Sequence, residues 1–250
     1  MPDAIFDPAQ HAKPEDFLRT NDLMALLPPG HSTVLEIGAR HGFITRYLAE
    51  RFQTVTALDL EKPSIPLDRV IPVQGDVRHL DFPDNSFDCV LCTEVLEHIA
   101  DLAAAAGEIS RVARHDVLIG VPYRQDIRVG RVTCNHCGKF GPAYGHINKF
   151  DEAGLRKLFS PLSVSAIHYV SKNTERTNAL AVWLQDLGGN RYGTYEQEEP
   201  CIHCGREMVP RDKYSLLENI CTAAGLRLYA AQALFNKPRP TWIHILFHKS

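Results

Sequence analysis

Apolar and polar positions along the chain fall into two rhythms. Short apolar runs at 33–38, 53–60, 69–74, 87–92, 116–121, 163–170 and 241–248 have the length and the β-branched content of buried strands. Between them lie stretches with helical spacing. Pro14 to Leu27 places Phe17, Leu18, Met24, Ala25 and Leu27 as apolar contacts and stops at Pro28-Pro29-Gly30. Residues 42–51 turn Phe43, Tyr47 and Leu48 inward. In 101–113, Leu102, Ala105, Ile109 and Val112 step by three and four. Asp151 is set to cap a helix over 151–159. This alternation predicts an α/β, doubly wound, mostly parallel seven-stranded sheet.

The rhythm breaks twice. Residues 123–146 are rich in glycine and proline, and 172–238 are irregular apart from a helix predicted from Lys213 to about Ala224. The expected organisation is an N-terminal capping segment over 1–30 and a core over 31–170 plus 239–250. Two inserts, 123–146 and 172–238, are carried by that core.

Composition narrows the classes. The chain has 250 residues, 44% of them hydrophobic, and a formal net charge of −3. It is long enough to bury a core, and its charge argues against a dedicated nucleic-acid binder. No run of about 20 apolar residues suggests a membrane span. The N-terminus lacks the basic-then-apolar layout of a signal peptide, so a cytoplasmic location is expected.

Chemistry-bearing residues collect at strand ends. Val34 to Gly42 reads as a strand, a turn with Gly38 and Gly42, and a helix start, a grammar suited to a nucleotide-type ligand. Glu36, Asp59, Asp76 and Thr93 sit at or just beyond strand ends, where open α/β sheets bind ligands. A nicotinamide fingerprint would read G-x-G-x-x-G with an acid about 20 residues on. Asp59 meets that spacing, but the carboxylate two residues before the first glycine and the Gly75-Asp76 turn favour another cofactor.

In their order, Glu36-x-Gly38-x-x-x-Gly42, Val55–Asp59, Gln74-Gly75-Asp76 and Phe87-Asp88-Cys89-Val90-Leu91-Cys92-Thr93-Glu94-Val95-Leu96-Glu97-His98 resemble the class I S-adenosylmethionine-dependent methyltransferases of the type-11/12-like kind. The resemblance covers about 30–170 and the last strand. It implies S-adenosylmethionine as cofactor, with Gly38, Ala39, Arg40 and Gly42 lining the methionine part and Glu36 beneath the loop. Asp59 and Leu60 would lie at the ribose, Asp76 and Val77 at the adenine, and Thr93 and Glu94 near the transferred methyl. The family usually has glycine where this chain has Arg40, so Arg40 must keep a negative φ or carry strain of about 1–3 kcal/mol.

Seven cysteines are present. Cys134-Asn135-His136-Cys137-Gly138 and Cys201-Ile202-His203-Cys204-Gly205 share the pattern CxHCG. Two such turns supply four thiolates to one tetrahedral ion, Zn²⁺ in preference to iron, and resemble a zinc-ribbon knuckle pair with a structural role. They would clip the two inserts together across the sixth strand, with His136 and His203 facing outward. Cys89 and Cys92 have the same spacing on a strand, where they face opposite ways, so they are read as core thiols. Cys221, on a helix, is read as core too.

For the acceptor, candidate bases are His146, Tyr123 and His98, with Glu97 beside them; His146 lies in a His-x-x-x-Phe segment similar to one in small-molecule methyltransferases. Glu94 and His98 would share one face if their segment were helical. Five basic residues (Arg124, Arg128, Arg131, Lys139 and Lys149) against one acid, Asp126, between 124 and 150 suit an anionic acceptor. The leading expectation is a methyltransferase acting at O or N on a small-molecule or glycan-type acceptor. The alternatives are an RNA methyltransferase and a methyltransferase-like binding module that has lost the cofactor.

Overall fold

A computed structural model describes residues 14–249. The part of the capping segment before residue 14 lies outside the described residues. The chain divides into two compact units. One comprises residues up to Tyr123, Phe150–Ser171 and Pro240 onward; the other comprises Arg124–Lys149 and Lys172–Arg239.

The first unit, the core, holds one seven-stranded sheet. In chain order it contains α1 (Pro14–Leu26), β1 (Thr33–Ile37), α2 (Thr45–Arg51), β2 (Thr54–Asp59), β3 (Val70–Gln74), β4 (Phe87–Thr93), α3 (Leu102–Val112) and β5 (Ala113–Pro122). Two β-strands in the other unit, β6 (Val132–Thr133) and β7 (Phe140–Gly141), intervene before α4 (Glu152–Leu158) and β8 (Ser163–Asn173). The last strand is β9 (Arg239–His248). The sheet order is β3-β2-β1-β4-β5-β9-β8. β1 pairs parallel with β2 and β4, β2 with β3, and β4 with β5; β9 runs antiparallel to β5. The predicted seven strands are all present.

Burial on both sheet faces explains the unbroken apolar runs. One face carries Leu35, Ile37, Val90, Cys92, Val117, Ile119, Ile243 and Ile245 against α3 and α4. The other carries Val34, Val55, Cys89, Leu91, Leu118 and Leu246 against α1 and α2. Cys89 and Cys92 thus sit on opposite faces, fully buried, and burial pushes both thiols up. Asp101 caps α3 by accepting from Ala104 N at 3.0 Å, and Asp151 caps α4 by accepting from Gly154 N at 2.9 Å.

The second unit contains β6 and β7 paired as a hairpin, α5 (Ala179–Leu187) and α6 (Leu216–Ala233). α5 falls inside a stretch expected to be irregular, and α6 runs nine residues beyond the expected end. Asn178 caps α5 through Ala181 N at 2.8 Å, and Ser215 with Glu218 forms a capping box on α6. The two helices meet at Gly188 and Gly225: a Cβ at Gly225 would lie 2.9 Å from Gln185 Cγ and 3.1 Å from the Ala181 carbonyl. Cys221 is half-buried on α6 instead of in a core.

Candidate functional site

Parallel pairing brings the ends of β1, β2, β3 and β4 side by side, so residues 36–42, 59–60, 75–77 and 93–94 gather on one edge of the core. The β1 loop is held down by its own backbone: Gly38 N and Ala39 N both donate to the Leu58 carbonyl, at 2.9 and 3.2 Å, and Gly42 N donates to Ala39 O at 2.8 Å. Gly38 adopts φ 85°, and a Cβ there would run into Val95 Cγ2. Glycine is required on both counts.

Arg40 resolves its dilemma by entering the left-handed region, φ 43°. That conformation costs about 1–2 kcal/mol for a residue with a Cβ. It also aims the Arg40 N–H at Asp59 Oδ2, 2.8 Å away, while Leu60 N donates to Oδ1 at 2.7 Å. The side chain of Arg40 is exposed. Asp59 therefore ties the β1 loop to the end of β2 and still has lone pairs facing outward.

Beneath the loop lies Glu36, 3% exposed, with Oε2 unpaired; the nearby Thr45 hydroxyl on α2 is also buried without a partner. Burial, opposed in part by Thr45 and reinforced by the charge of Asp59, raises the Glu36 carboxyl to about 7. A buried carboxylate with an open lone pair calls for a donor from outside the chain. A cofactor with an ammonium group and a ribose diol fits this set of acceptors: Glu36 and the loop for the first, Asp59 for the second.

Asp76 differs from expectation. Both of its oxygens are taken by Arg78, which donates from Nη2 to Oδ2 at 2.6 Å and from Nε to Oδ1 at 3.0 Å, and the Arg78 side-chain hydrogen bond holds the carboxyl below its ordinary range. An adenine amino group would share it with the guanidinium. Val77 is buried.

Past β4, Thr93 is half-buried and Glu94 takes φ 54°, so the segment is not helical; only Leu96–His98 forms a short 3₁₀ turn. Glu94 and His98 consequently do not share a helix face. Glu94 N donates to Gly120 O at 3.0 Å, and its Oε2 meets Arg19 Nη1 at 2.8 Å and Trp242 Nε1 at 3.3 Å. Arg19 also stacks 4.9 Å over the Trp242 ring. Glu97 is fully buried with neither carboxyl oxygen paired; burial first, then the Glu94 charge, pushes it well up. Tyr123 follows β5, with its N–H donated to Thr241 O at 2.8 Å and its ring 5.0 Å from that of Tyr169. His146 belongs to the second unit, 8% exposed, with Nδ1 2.7 Å from Gln125 Oε1. Arg19 and Trp242 were invisible in the sequence, because α1 and β9 lie far in sequence from β4 and carry no motif.

Residues 35–119 match the Methyltransferase domain family. This stretch of the core therefore carries a methyltransferase domain. An uncharacterized methyltransferase of Mycobacterium tuberculosis (strain ATCC 25618 / H37Rv) is 33% identical over 113 residues, 43% of this chain and 46% of that protein. A fatty-acid O-methyltransferase of Mycolicibacterium smegmatis is 38% identical over 90 residues, 32% of this chain and 33% of that one. The chain thus spans less than half the length of these curated relatives. An S-adenosylmethionine-dependent methyltransferase from Mesorhizobium loti shares the fold, with TM-score 0.51 at 13% identity, covering 92% of this chain and 96% of that one. The methyltransferase domain ends before either CxHCG motif, so the comparison says nothing of the cysteines.

Those cysteines lie in the second unit, on two turns of the same build. Cys134 N donates to Lys139 O at 2.9 Å and Gly138 N to Cys134 O at 2.9 Å; Cys201 N donates to Arg206 O at 2.8 Å and Gly205 N to Cys201 O at 2.8 Å. Gly138 and Gly205 adopt φ 69° and 68°. The four Sγ atoms lie within 4.8 Å of one another, with Cys134–Cys204 at 3.7 Å and Cys137–Cys201 at 3.8 Å. Sulfurs about 2.3 Å from a central Zn²⁺ in a tetrahedron stand about 3.8 Å apart. His136 and His203 are exposed, and His203 Nε2 bonds instead to Phe140 O at 2.9 Å. Of the five basic residues near these turns, Arg128 pairs with Asp126 at 2.8 Å and Arg131 with Asp186 at 2.9 Å, which reduces the charge left for an anionic partner.

Proposed function

We propose that the chain transfers a methyl group from S-adenosylmethionine to a small organic acceptor at oxygen or nitrogen, and that a structural Zn²⁺ on Cys134, Cys137, Cys201 and Cys204 organises its second unit. The observation that carries the first part is the buried Glu36, its Oε2 without a partner, beneath a glycine loop that Asp59 ties down through the Arg40 N–H. Glu36, Gly38, Ala39 and Gly42 would hold the methionine part, Asp59 and Leu60 the ribose, and Asp76 and Val77 the adenine. The cofactor, when bound, supplies a methyl carbon already activated for displacement, so the protein's task is mainly positioning. Residues beyond β4 and β5, with Glu94, His98 and Tyr123 among them, would orient the acceptor. The fatty-acid O-methyltransferase relative supports an oxygen acceptor of small-molecule class. Two things support the metal: the sulfur spacing, and the matched glycine turns.

The left-handed Arg40 bears on the rival reading of a cofactor-free binding module. Its side chain is exposed and its N–H reinforces Asp59, so the residue that departs from the family pattern also supports the loop. Isothermal calorimetry with S-adenosylhomocysteine is the test. Binding should be micromolar, and Asp59→Ala should weaken it at least tenfold; no heat at millimolar ligand in the wild type would discard the enzyme reading.

A further inference from the structure

On the core face that carries α1, Thr93, Gly120 and His244 stand in one row across β4, β5 and β9. This row lies at the carboxyl end of β4, beside Glu94. His244 is 2% exposed, and its Nδ1 is 2.6 Å from Asp22 Oδ2 on α1. The other Asp22 oxygen is 2.8 Å from His168 Nδ1 on β8. Burial opposes ionisation of Asp22, but its hydrogen bonds with His244 and then His168 outweigh it and keep the carboxyl below its ordinary value. Asp22 is thus a carboxylate that can only accept, so His244 must donate from Nδ1.

That fixes the opposite nitrogen. With Nδ1 protonated, a neutral His244 carries its lone pair on Nε2. Among the described residues no hydrogen-bond partner takes that lone pair. The Nε2–Cδ2 edge of the ring lies over Gly120: a Cβ there would be 3.1 Å from Cδ2, 3.4 Å from Nε2 and 3.3 Å from Thr93 Cβ. Gly120 gives up its side chain to make room for this ring edge next to Thr93. A carboxylate that orients an imidazole whose far nitrogen is a free acceptor is the arrangement of a general base.

We propose that His244 is a catalytic residue that accepts the acceptor's proton through Nε2, with Asp22 as its positioning residue, which makes the substrate one bearing an O–H or N–H. The inference rests on the methyl-transfer reading of the neighbouring loop. The acceptor hydroxyl or amine donates to Nε2; as its oxygen or nitrogen bonds to the methyl carbon, the carbon–sulfur pair returns to sulfur and the proton passes to His244. The resulting imidazolium is neutralised by Asp22. Of the charged and titratable groups on the elements around His244, Asp22 of α1 binds it directly, His168 of β8 shares that carboxylate, and Arg19 of α1 pairs with Glu94 after β4.

The test is imidazole ¹⁵N spectroscopy on the S-adenosylhomocysteine complex. His244 should show a protonated Nδ1 and a bare Nε2 at pH 7, and saturating phenol, a small O–H donor, should shift the Nε2 resonance. Asp22→Asn should lose the Nδ1–H tautomer and the phenol response, while His168→Gln keeps both. A protonated Nε2 in the wild type, or no response to phenol, overturns the proposal. Failure of S-adenosylhomocysteine to bind overturns the methyl-donor reading instead, and the tautomer then still reports on the Asp22–His244 pair by itself.

Discussion

In the core unit, strands at the centre of the sheet bury side chains on both faces: Leu35, Val90 and Val117 on one, Val34, Leu91 and Leu118 on the other. Around the cysteine turns of the second unit the buried cluster is Val132, Cys134, Cys201 and Met208, with Tyr195 and Cys137 against it. So small a cluster contributes only a few kcal/mol at about 25 cal/mol per Å², too little to offset the cost of ordering two glycine turns and a two-residue hairpin. The core is specified by apolar periodicity, whereas the knuckle region needs a cross-link. The proposed Zn²⁺ would supply it, since in small sites of this kind metal binding is folding free energy.

The largest effect should come from breaking that cross-link. Cys134→Ser, or stripping the protein with a strong chelator, should release one metal equivalent and expose the 124–149 and 172–239 segments to protease, with the core sheet intact. Retention of a full zinc equivalent and of protease resistance in Cys134→Ser would end the comparison.

On the core side, Leu118→Ala removes a fully buried side chain between α1 and the sheet centre. It should cost about 3–4 kcal/mol in denaturant unfolding, without changing metal content. A loss of zinc in this variant would show that the two units do not draw on separate sources of stability.

The smallest effect is electrostatic and lies under the β1 loop. Glu36 rises from an ordinary 4.5 to about 7 on burial. Below pH 4.5 it is protonated folded and unfolded, and contributes no pH dependence. Between 4.5 and 7 the unfolded chain ionises first, so stability falls as pH rises, by on the order of 3 kcal/mol, and the deficit then stays level. Glu36→Gln should abolish that slope and weaken S-adenosylhomocysteine binding. Parallel pH–stability curves for the two proteins would show that Glu36 has an ordinary pKa.

Strand existence and order along the chain were legible because two-faced burial leaves continuous apolar runs, and α3 and α4 announced themselves through Asp101 and Asp151. The β1 loop was legible for a related reason: glycines at Gly38 and Gly42 answer a local requirement of backbone geometry, a positive φ. α5 was missed because its nine residues, Ala179–Leu187, are apolar almost throughout and show no polar face to reveal a period. The pairing of Asp76 with Arg78 was missed too, since a two-residue spacing permits such a contact without requiring it.

By itself the sequence determined the sheet, the glycine loop with Glu36 and Asp59, and the two cysteine turns, because each is written in neighbouring residues. Tertiary structure alone decided how Arg40 meets its loop, which partners Glu94 takes, and that Asp22 of α1 meets His244 of β9 across more than two hundred residues. Such contacts depend on sheet order and helix docking, and no local pattern in the chain encodes them.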